Sequence, residues 1–188
     1  MKNLEKVFKG KKVLVTGNTG FKGSWLTLWL VRLGAKVIGL SDDIPTTPSN
    51  FEVNNISKMI QDNRIDIRDY DSVSNIVNSA NPDFVFHLAA QSLVRESYDQ
   101  PLKTFEINTM GTANILEALI SLDKKVTVVM ITSDKAYDNV EWVWGYKETD
   151  RLGGKDPYSA SKGMAELVIK TYFESFIKDK TDKITLGI

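Results

Sequence analysis

Short runs rich in β-branched and apolar residues alternate with helix-length patterns along the chain: KKVLVTG, then FKGSWLTLWLVRLG, then AKVIGL, and so on to the end. Strands joined by helix-length crossovers run parallel, and a parallel sheet needs helices on both faces. The rhythm therefore specifies an α/β fold built on a doubly wound parallel sheet. Strands are expected at Lys12–Thr16, Lys36–Leu40, Asp62–Arg64, Phe84–Leu88, Val126–Ile131 and Thr185–Ile188. Helices are expected at Gly20–Leu33, Tyr70–Ala80, Pro101–Leu122 and Pro157–Lys178, the last with Asp156 as N-cap and Pro157 at the first helical position. Two long connections remain, SDDIPTTPSNF and SDKAYDNVEWVWGYKETDRLGGKDP, and long loops in compact domains are where function concentrates. The chain stops inside an apolar run, KITLGI, which reads as a truncated protein or a fragment.

Charge excludes some partners. Lys plus Arg equals Asp plus Glu at 24 each, so no overall field draws the chain to nucleic acid or to a membrane surface, and a small-molecule partner is expected. With no cysteine and a single histidine, His87, disulfides and thiolate chemistry are impossible and a metal site is not expected. MKNLEKVFKGKK lacks the apolar core of a signal peptide, and no segment approaches the roughly 18 apolar residues of a membrane span, so the expected compartment is the cytoplasm.

The segment VTGNTGFKGSWL sets Gly17, Gly20 and Gly23 at the turn from the first strand into the first helix. Glycines there permit a tight turn and let backbone N–H groups reach a phosphate, while the helix amino terminus adds partial positive charge. Such a strand–turn–helix receives the pyrophosphate of a dinucleotide, although glycines serving only the turn and helix packing would look the same. After the second strand stand Asp42 and Asp43. One of them can hold the adenosine ribose hydroxyls, favouring NAD over NADP because a carboxylate repels a 2′-phosphate; a solvated turn is the other reading. Asp66 and Ile67, in RIDIRD, either border an adenine or form a surface turn with Arg68. His87 lies within a buried strand and reads as a hydrogen-bonded core histidine.

Tyr158 and Lys162, in PYSASKG, are four apart and share a helix face. A phenol with an ordinary pKa near 10 is no base at pH 7 unless a neighbouring cation favours the phenolate, and a lysine one turn away supplies that cation. Between these and the glycines lies VVMITSDKAYDN, where an apolar run ends in Thr132 and Ser133 and then sets Asp134 beside Lys135. The pair can be a surface ion pair worth at most roughly 1 kcal/mol, a helix cap, or a working acid and base. Neighbours on a regular strand point to opposite faces, so both reach one substrate only if the backbone bends there.

Together with DDIPTTPSNFE, FHLAAQSLVRESY, NTMGTANILEA, EWVWGYKE and GGKDPYSASKGMAEL, these segments resemble the extended short-chain dehydrogenase/reductase family. Within it they are similar to the dehydratases that act on CDP-glucose. The resemblance implies a Rossmann-type dinucleotide-binding domain over 1–188, a substrate-binding domain largely absent from the chain, and a homodimer packed through Pro101–Leu122 and Pro157–Lys178. It also implies 4,6-dehydration of CDP-glucose in nucleotide-sugar biosynthesis for surface polysaccharide. Bound NAD would contact Gly17, Thr19, Gly20, Phe21, Gly23, Asp42, Asp43, Asp66, Ile67, Leu88, Ala89, Ala90, Asn108, Tyr158 and Lys162. Tyr158 would take the proton of the sugar 4-hydroxyl with Ser133 holding that oxygen, Asp134 would be the acid and Lys135 would stand where the family places its base. Asn108 would support the site through its backbone. Trp142, Trp144 and Tyr146 either shape a sugar pocket or lid, or form an aromatic cluster under a long loop. Asp-Lys departs from the Asp-Glu of many 4,6-dehydratases: Lys135 must lose its proton to act as a base, or else stabilise an enolate while charged.

Overall fold

The computed structural model of the chain describes residues 2–180 and 182–188. Six strands, β1 (Lys12–Thr16), β2 (Lys36–Ser41), β3 (Gln61–Arg64), β4 (Phe84–His87), β5 (Val126–Met130) and β6 (Ile184–Gly187), form one parallel sheet in the order β3-β2-β1-β4-β5-β6. The helices are α1 (Lys2–Phe8), α2 (Phe21–Arg32), α3 (Asn50–Val53), α4 (Tyr70–Ala80), α5 (Val94–Asp99), α6 (Pro101–Phe105), α7 (Gly111–Ile120) and α8 (Pro157–Tyr172). This is the doubly wound order, and it reverses at β1.

Both sheet faces are covered, as apolar runs without alternation require. Val13, Leu14 and Val15 are all fully buried. Leu14 joins Ile38, Val85 and Val128 in a core shared with residues of α4, α7 and α8, such as Val73, Ile115 and Ile169. Val13 and Val15 face the other way, onto Leu30 of α2, with Phe8 of α1 and Phe84 packed alongside. Capping follows the chemistry of the side chains: Asp69 accepts from the Ser72 N–H at 3.2 Å to start α4, and Asp156 accepts from the Ser159 N–H at 2.9 Å to start α8.

The sheet departs from the expected boundaries by about one residue at several strand ends, within normal fraying. Gly20 is the N-cap of α2 rather than its first residue, because its backbone is extended (φ −70°, ψ 172°). The helix expected over Pro101–Leu122 is interrupted by a π-helical segment, Glu106–Met110, and α8 runs into another, Phe173–Ile177. A wide turn of this kind often marks a functional position. The first one carries Asn108, buried and bonded inward. Helices α1, α3 and α5 lie outside the expected ones, and all three are short. Among the described residues, no helix is long and apolar enough to cross a membrane.

Candidate active site

In an open parallel sheet the crevice forms where strand order reverses, at the carboxyl ends of β1 and β4. Thr16 and His87 are register partners there, and His87 pairs onward with Met130 of β5. The glycine turn, Asp42–Asp43, Asp66–Ile67, Leu88–Ala90 and Ser133–Lys135 follow the carboxyl ends of successive strands, whereas Asn108, Tyr158 and Lys162 are carried on helices.

Gly17 turns the chain out of β1 with φ +71°, a left-handed conformation that L side chains rarely adopt. A Cβ there would lie 2.8 Å from the Ala89 nitrogen and 2.9 Å from the Leu88 carbonyl carbon, so the turn sits directly on the chain leaving β4. At Gly23, one helical turn into α2, a Cβ would overlap the Gly17 carbonyl, 2.7 Å from its carbon. The helix is thus drawn onto the turn, and Gly20 opens it with its N–H bonded to the Gly17 carbonyl at 3.1 Å. The result is a backbone cradle at a helix amino terminus, suited to an anionic phosphate. Phe21 stands outside it, 78% exposed.

Two residues not singled out from sequence brace the cradle. Asn18 is fully buried, accepts from the Ser41 hydroxyl at 2.8 Å and donates to Asp62 at 3.4 Å. It lies flat on β2 because Gly39 leaves room, a Cβ there falling 2.6 Å from the Asn18 amide carbon. Thr16 collects the N–H groups of Leu88 and Ala89 on its hydroxyl at 3.1 and 3.0 Å, and Ala90 follows, partly exposed. For Thr16, a polar residue closing an otherwise apolar strand was the available signal; Asn18 lies in the turn beyond it.

Beyond β2, the Asp42 and Asp43 carboxylates are exposed, and each accepts a neighbouring backbone N–H, from Asp43 at 2.8 Å and Ile44 at 2.7 Å. Each keeps a second oxygen for a ligand hydroxyl. Thr19 ties this loop to the glycine turn by donating to the Asp43 carbonyl at 2.6 Å, so its hydroxyl hydrogen is already committed.

Asp66 and Ile67 follow β3 in a turn with Arg68. Arg68 holds the Asp66 carboxylate at 2.6–3.1 Å and reaches Glu106 at 2.8 Å, and this guanidinium keeps the Asp66 pKa below the usual carboxylate range. Ile67 is a core residue, 5% exposed.

Beyond β5 the chain stays extended at Ser133 and then bends into a 3₁₀ turn, Asp134–Ala136. Ser133 caps this turn, accepting from the Lys135 N–H and donating to the Asp134 carboxylate, both at 3.2 Å. The cap is therefore Ser133 rather than Asp134. Asp134 and Lys135 are exposed. Neither a cap at Asp134 nor an ion pair between the two is seen among the described residues.

This turn is fastened to the start of α8. The Gly153 N–H donates to the Ala136 carbonyl at 2.9 Å, and Gly163 leaves α8 close enough that a Cβ would lie 3.3 Å from the same oxygen. Tyr158 and Lys162 are buried in the first turns of α8, at 9% and 7% exposure. Burial brings the Lys162 pKa down to about 8, with Lys22 of α2 pushing the same way and Glu166 opposing. The Lys162 charge also helps to lower the His87 pKa, after burial of the ring.

Asn108 is bonded through its side chain to two segments. Its amide oxygen accepts from the Gln91 N–H at 2.8 Å, and its nitrogen donates to the Gln91 carbonyl at 3.0 Å and to the Ser161 hydroxyl at 2.8 Å. Gln91 and Ser161 were not foreseen. Trp142, Trp144 and Tyr146 form an aromatic cluster with Tyr137, ring centroids 5.2–5.6 Å apart, on the loop that rises from the Asp134–Ala136 turn.

A family model described as GDP-mannose 4,6 dehydratase matches residues 14–183. CDP-glucose 4,6-dehydratase of Salmonella typhimurium is 51% identical over 169 residues, covering 90% of this chain and 47% of the relative. GDP-mannose 4,6-dehydratase of Vibrio cholerae is 30% identical over 178 residues, covering 88% and 46%. The crystal structure of UDP-glucose 4-epimerase from Thermus thermophilus, a complex with NAD, is 31% identical with a TM-score of 0.76, covering 88% of this chain and 51% of its own. The chain spans about half the length of these relatives. With a parallel sheet in doubly wound order and a match along nearly all of its residues, the chain belongs to the GDP-mannose 4,6 dehydratase family.

Proposed function

We propose that residues 1–188 are the NAD-binding domain of a CDP-glucose 4,6-dehydratase, which converts CDP-glucose to CDP-4-keto-6-deoxyglucose. The observation that carries this reading is the fastening of the Ser133–Lys135 turn to the Tyr158–Lys162 helix through Ala136, Gly153 and Gly163, over the crevice that the glycine turn opens. A plain oxidoreductase needs only the tyrosine and lysine; the added acid and base suit removal of water.

NAD fits the cradle, and when bound it supplies a reversible store for the hydrogen removed from C4. The glycine-turn N–H groups hold its pyrophosphate, and Asp42 or Asp43 its adenosine ribose. Tyr158 takes the proton of the sugar 4-hydroxyl while Ser133 holds that oxygen, and the C4–H bond breaks to leave a 4-ketone. The ketone acidifies C5–H. Lys135 assists loss of the C5 proton, Asp134 protonates the C6 hydroxyl, and water leaves. With that hydrogen restored at C6 and a proton added at C5, the net change would be loss of one water. Two copies pair through the outer faces of α6, α7 and α8, where Leu102, Met164 and Leu167 are exposed.

The test is run on protein of full family length carrying these residues, with CDP-glucose in deuterated water. Lys135→Met is expected to retain C4 oxidation and lose solvent exchange at C5, and Asp134→Asn to lose C6–O cleavage. Unchanged exchange removes Lys135 from the chemistry, and normal dehydration by Asp134→Asn removes the acid. An epimer formed without dehydration by the unmodified protein would favour a 4-epimerase, which shares Tyr158 and Lys162 but needs no acid at Asp134.

A further inference from the structure

We infer that His87 is a positioning residue: hydrogen bonds through its neutral ring tie the Leu88–Ala89 turn, on the glycine cradle, to Thr112 and so to the Asn108 segment that is bonded to the Tyr158 helix. This rests on the dehydratase reading for its effect on turnover, but not for the bonding itself.

The direction of every hydrogen follows from counting donors and acceptors. The Thr16 hydroxyl accepts from the Ala89 N–H at 3.0 Å and from the Leu88 N–H at 3.1 Å, the latter shared with the Thr16 carbonyl at 3.2 Å. The one hydroxyl hydrogen is left for His87 Nδ1, 2.8 Å away. Nδ1 must then be bare, so Nε2 carries the ring proton and donates to the Thr112 hydroxyl at 3.2 Å. Thr112 in turn donates to the Asn108 carbonyl at 2.7 Å. From there the Asn108 amide reaches Ser161, which donates to the Tyr158 carbonyl at 2.6 Å. One line of bonds thus crosses the crevice from β1 through β4 and the π-helical segment to α8.

A protonated ring breaks this line, because a second N–H would face the Thr16 hydroxyl hydrogen or evict it from the turn. Burial disfavours that charge strongly, and the Lys162 ammonium adds to the effect, bringing the His87 pKa down to about 3. At 3% exposure the ring meets no solvent through which a mistaken tautomer could be corrected. The side chain therefore works as a rigid strut with an acceptor at one end and a donor at the other.

His87 is the sole histidine, so ¹⁵N-histidine labelling gives one uncrowded imidazole signal. The expected spectrum shows a bare Nδ1 and a protonated Nε2, unchanged from about pH 5 to about pH 8, where an ordinary histidine titrates. A protonated Nδ1, or titration in that interval, overturns the inference. Two substitutions in full-length protein then separate the ends of the strut. His87→Asn keeps an acceptor near Nδ1 and loses the donor to Thr112; NAD affinity should hold within about threefold while kcat falls about tenfold. His87→Gln keeps a donor near Nε2 and strands the Thr16 hydroxyl; NAD affinity should fall about tenfold with kcat at saturating NAD largely kept. Equal losses of both quantities in both variants would make His87 merely structural and overturn the role. Absence of NAD binding and turnover in the unmodified protein would instead overturn the dehydratase reading, whatever the tautomer.

Discussion

Gly23→Ala is expected to weaken NAD binding by about 100-fold, the consequence of overpacking by some 1–3 kcal/mol at a site with no freedom to yield. The added Cβ would overlap the carbonyl of Gly17, lying 2.7 Å from its carbon and 3.0 Å from the Asn18 Cα. These are backbone atoms, so no rotamer relieves the clash. The helix must back away from the turn or the turn must open, and in either case the N–H groups that converge on a pyrophosphate diverge. Gly17 cannot move alone, because its left-handed backbone rests against Ala89. Gly145→Ala is the matched control, since a Cβ there meets nothing within 4 Å, and it should bind NAD as the unmodified protein does. Quenching of the four tryptophans on NAD titration reads the affinity, and circular dichroism establishes that each variant is folded. Ordinary affinity in Gly23→Ala would mean that the turn is not the cradle.

Tyr158→Phe is expected to lower turnover by about a hundred- to ten-thousand-fold, the range for removing a positioned general acid–base group, while NAD affinity changes by less than about threefold. The ring is 9% exposed and packed at the start of α8, so phenylalanine fills the same space and only the hydroxyl is lost. The split between turnover and affinity is the diagnostic feature, because a variant that merely loosened α8 would lose both. Rapid mixing with CDP-glucose should show no absorbance from reduced cofactor in this variant, placing the block before C4 oxidation. Undiminished turnover would assign the base elsewhere.

Central strands were readable because burial on both faces writes them as uninterrupted apolar runs: KVLVT, KVIGL and VTVVM need no tertiary information. β3, QDNR, was the hardest to see, since an edge strand keeps polar side chains and is held by pairing with β2. The helical period of Pro101–Leu122 showed a helix but not its π-helical interruption, as one widened turn barely disturbs an apolar stripe. Helix α5, VRESYD, has too few turns to display any period.

The candidate site was legible where a residue type can do only one kind of work, as with Gly17 and Gly23. His87 could be placed from its buried strand alone, and it is indeed hydrogen-bonded within the core. Asp66 was less legible, because spacing does not reveal that Arg68, two residues on, folds back over the carboxylate. Thr16, Asn18, Gln91, Thr112 and Ser161 escaped for a shared reason: small polar residues acquire meaning from partners far away in the chain, here up to 73 positions apart. The bend that turns Asp134 and Lys135 out of the strand came from Ser133 as a cap, a role its position after an apolar run leaves open.

Following one hydrogen tests the central claim most directly. CDP-glucose deuterated at C4 is given to full-length protein with NAD, and the product is examined by mass spectrometry and NMR. A nicotinamide held between the Gly17 turn and the Tyr158 hydroxyl should deliver the deuterium to C6 of the 4-keto-6-deoxy product, without loss to solvent. A product carrying no deuterium at C6 contradicts that placement.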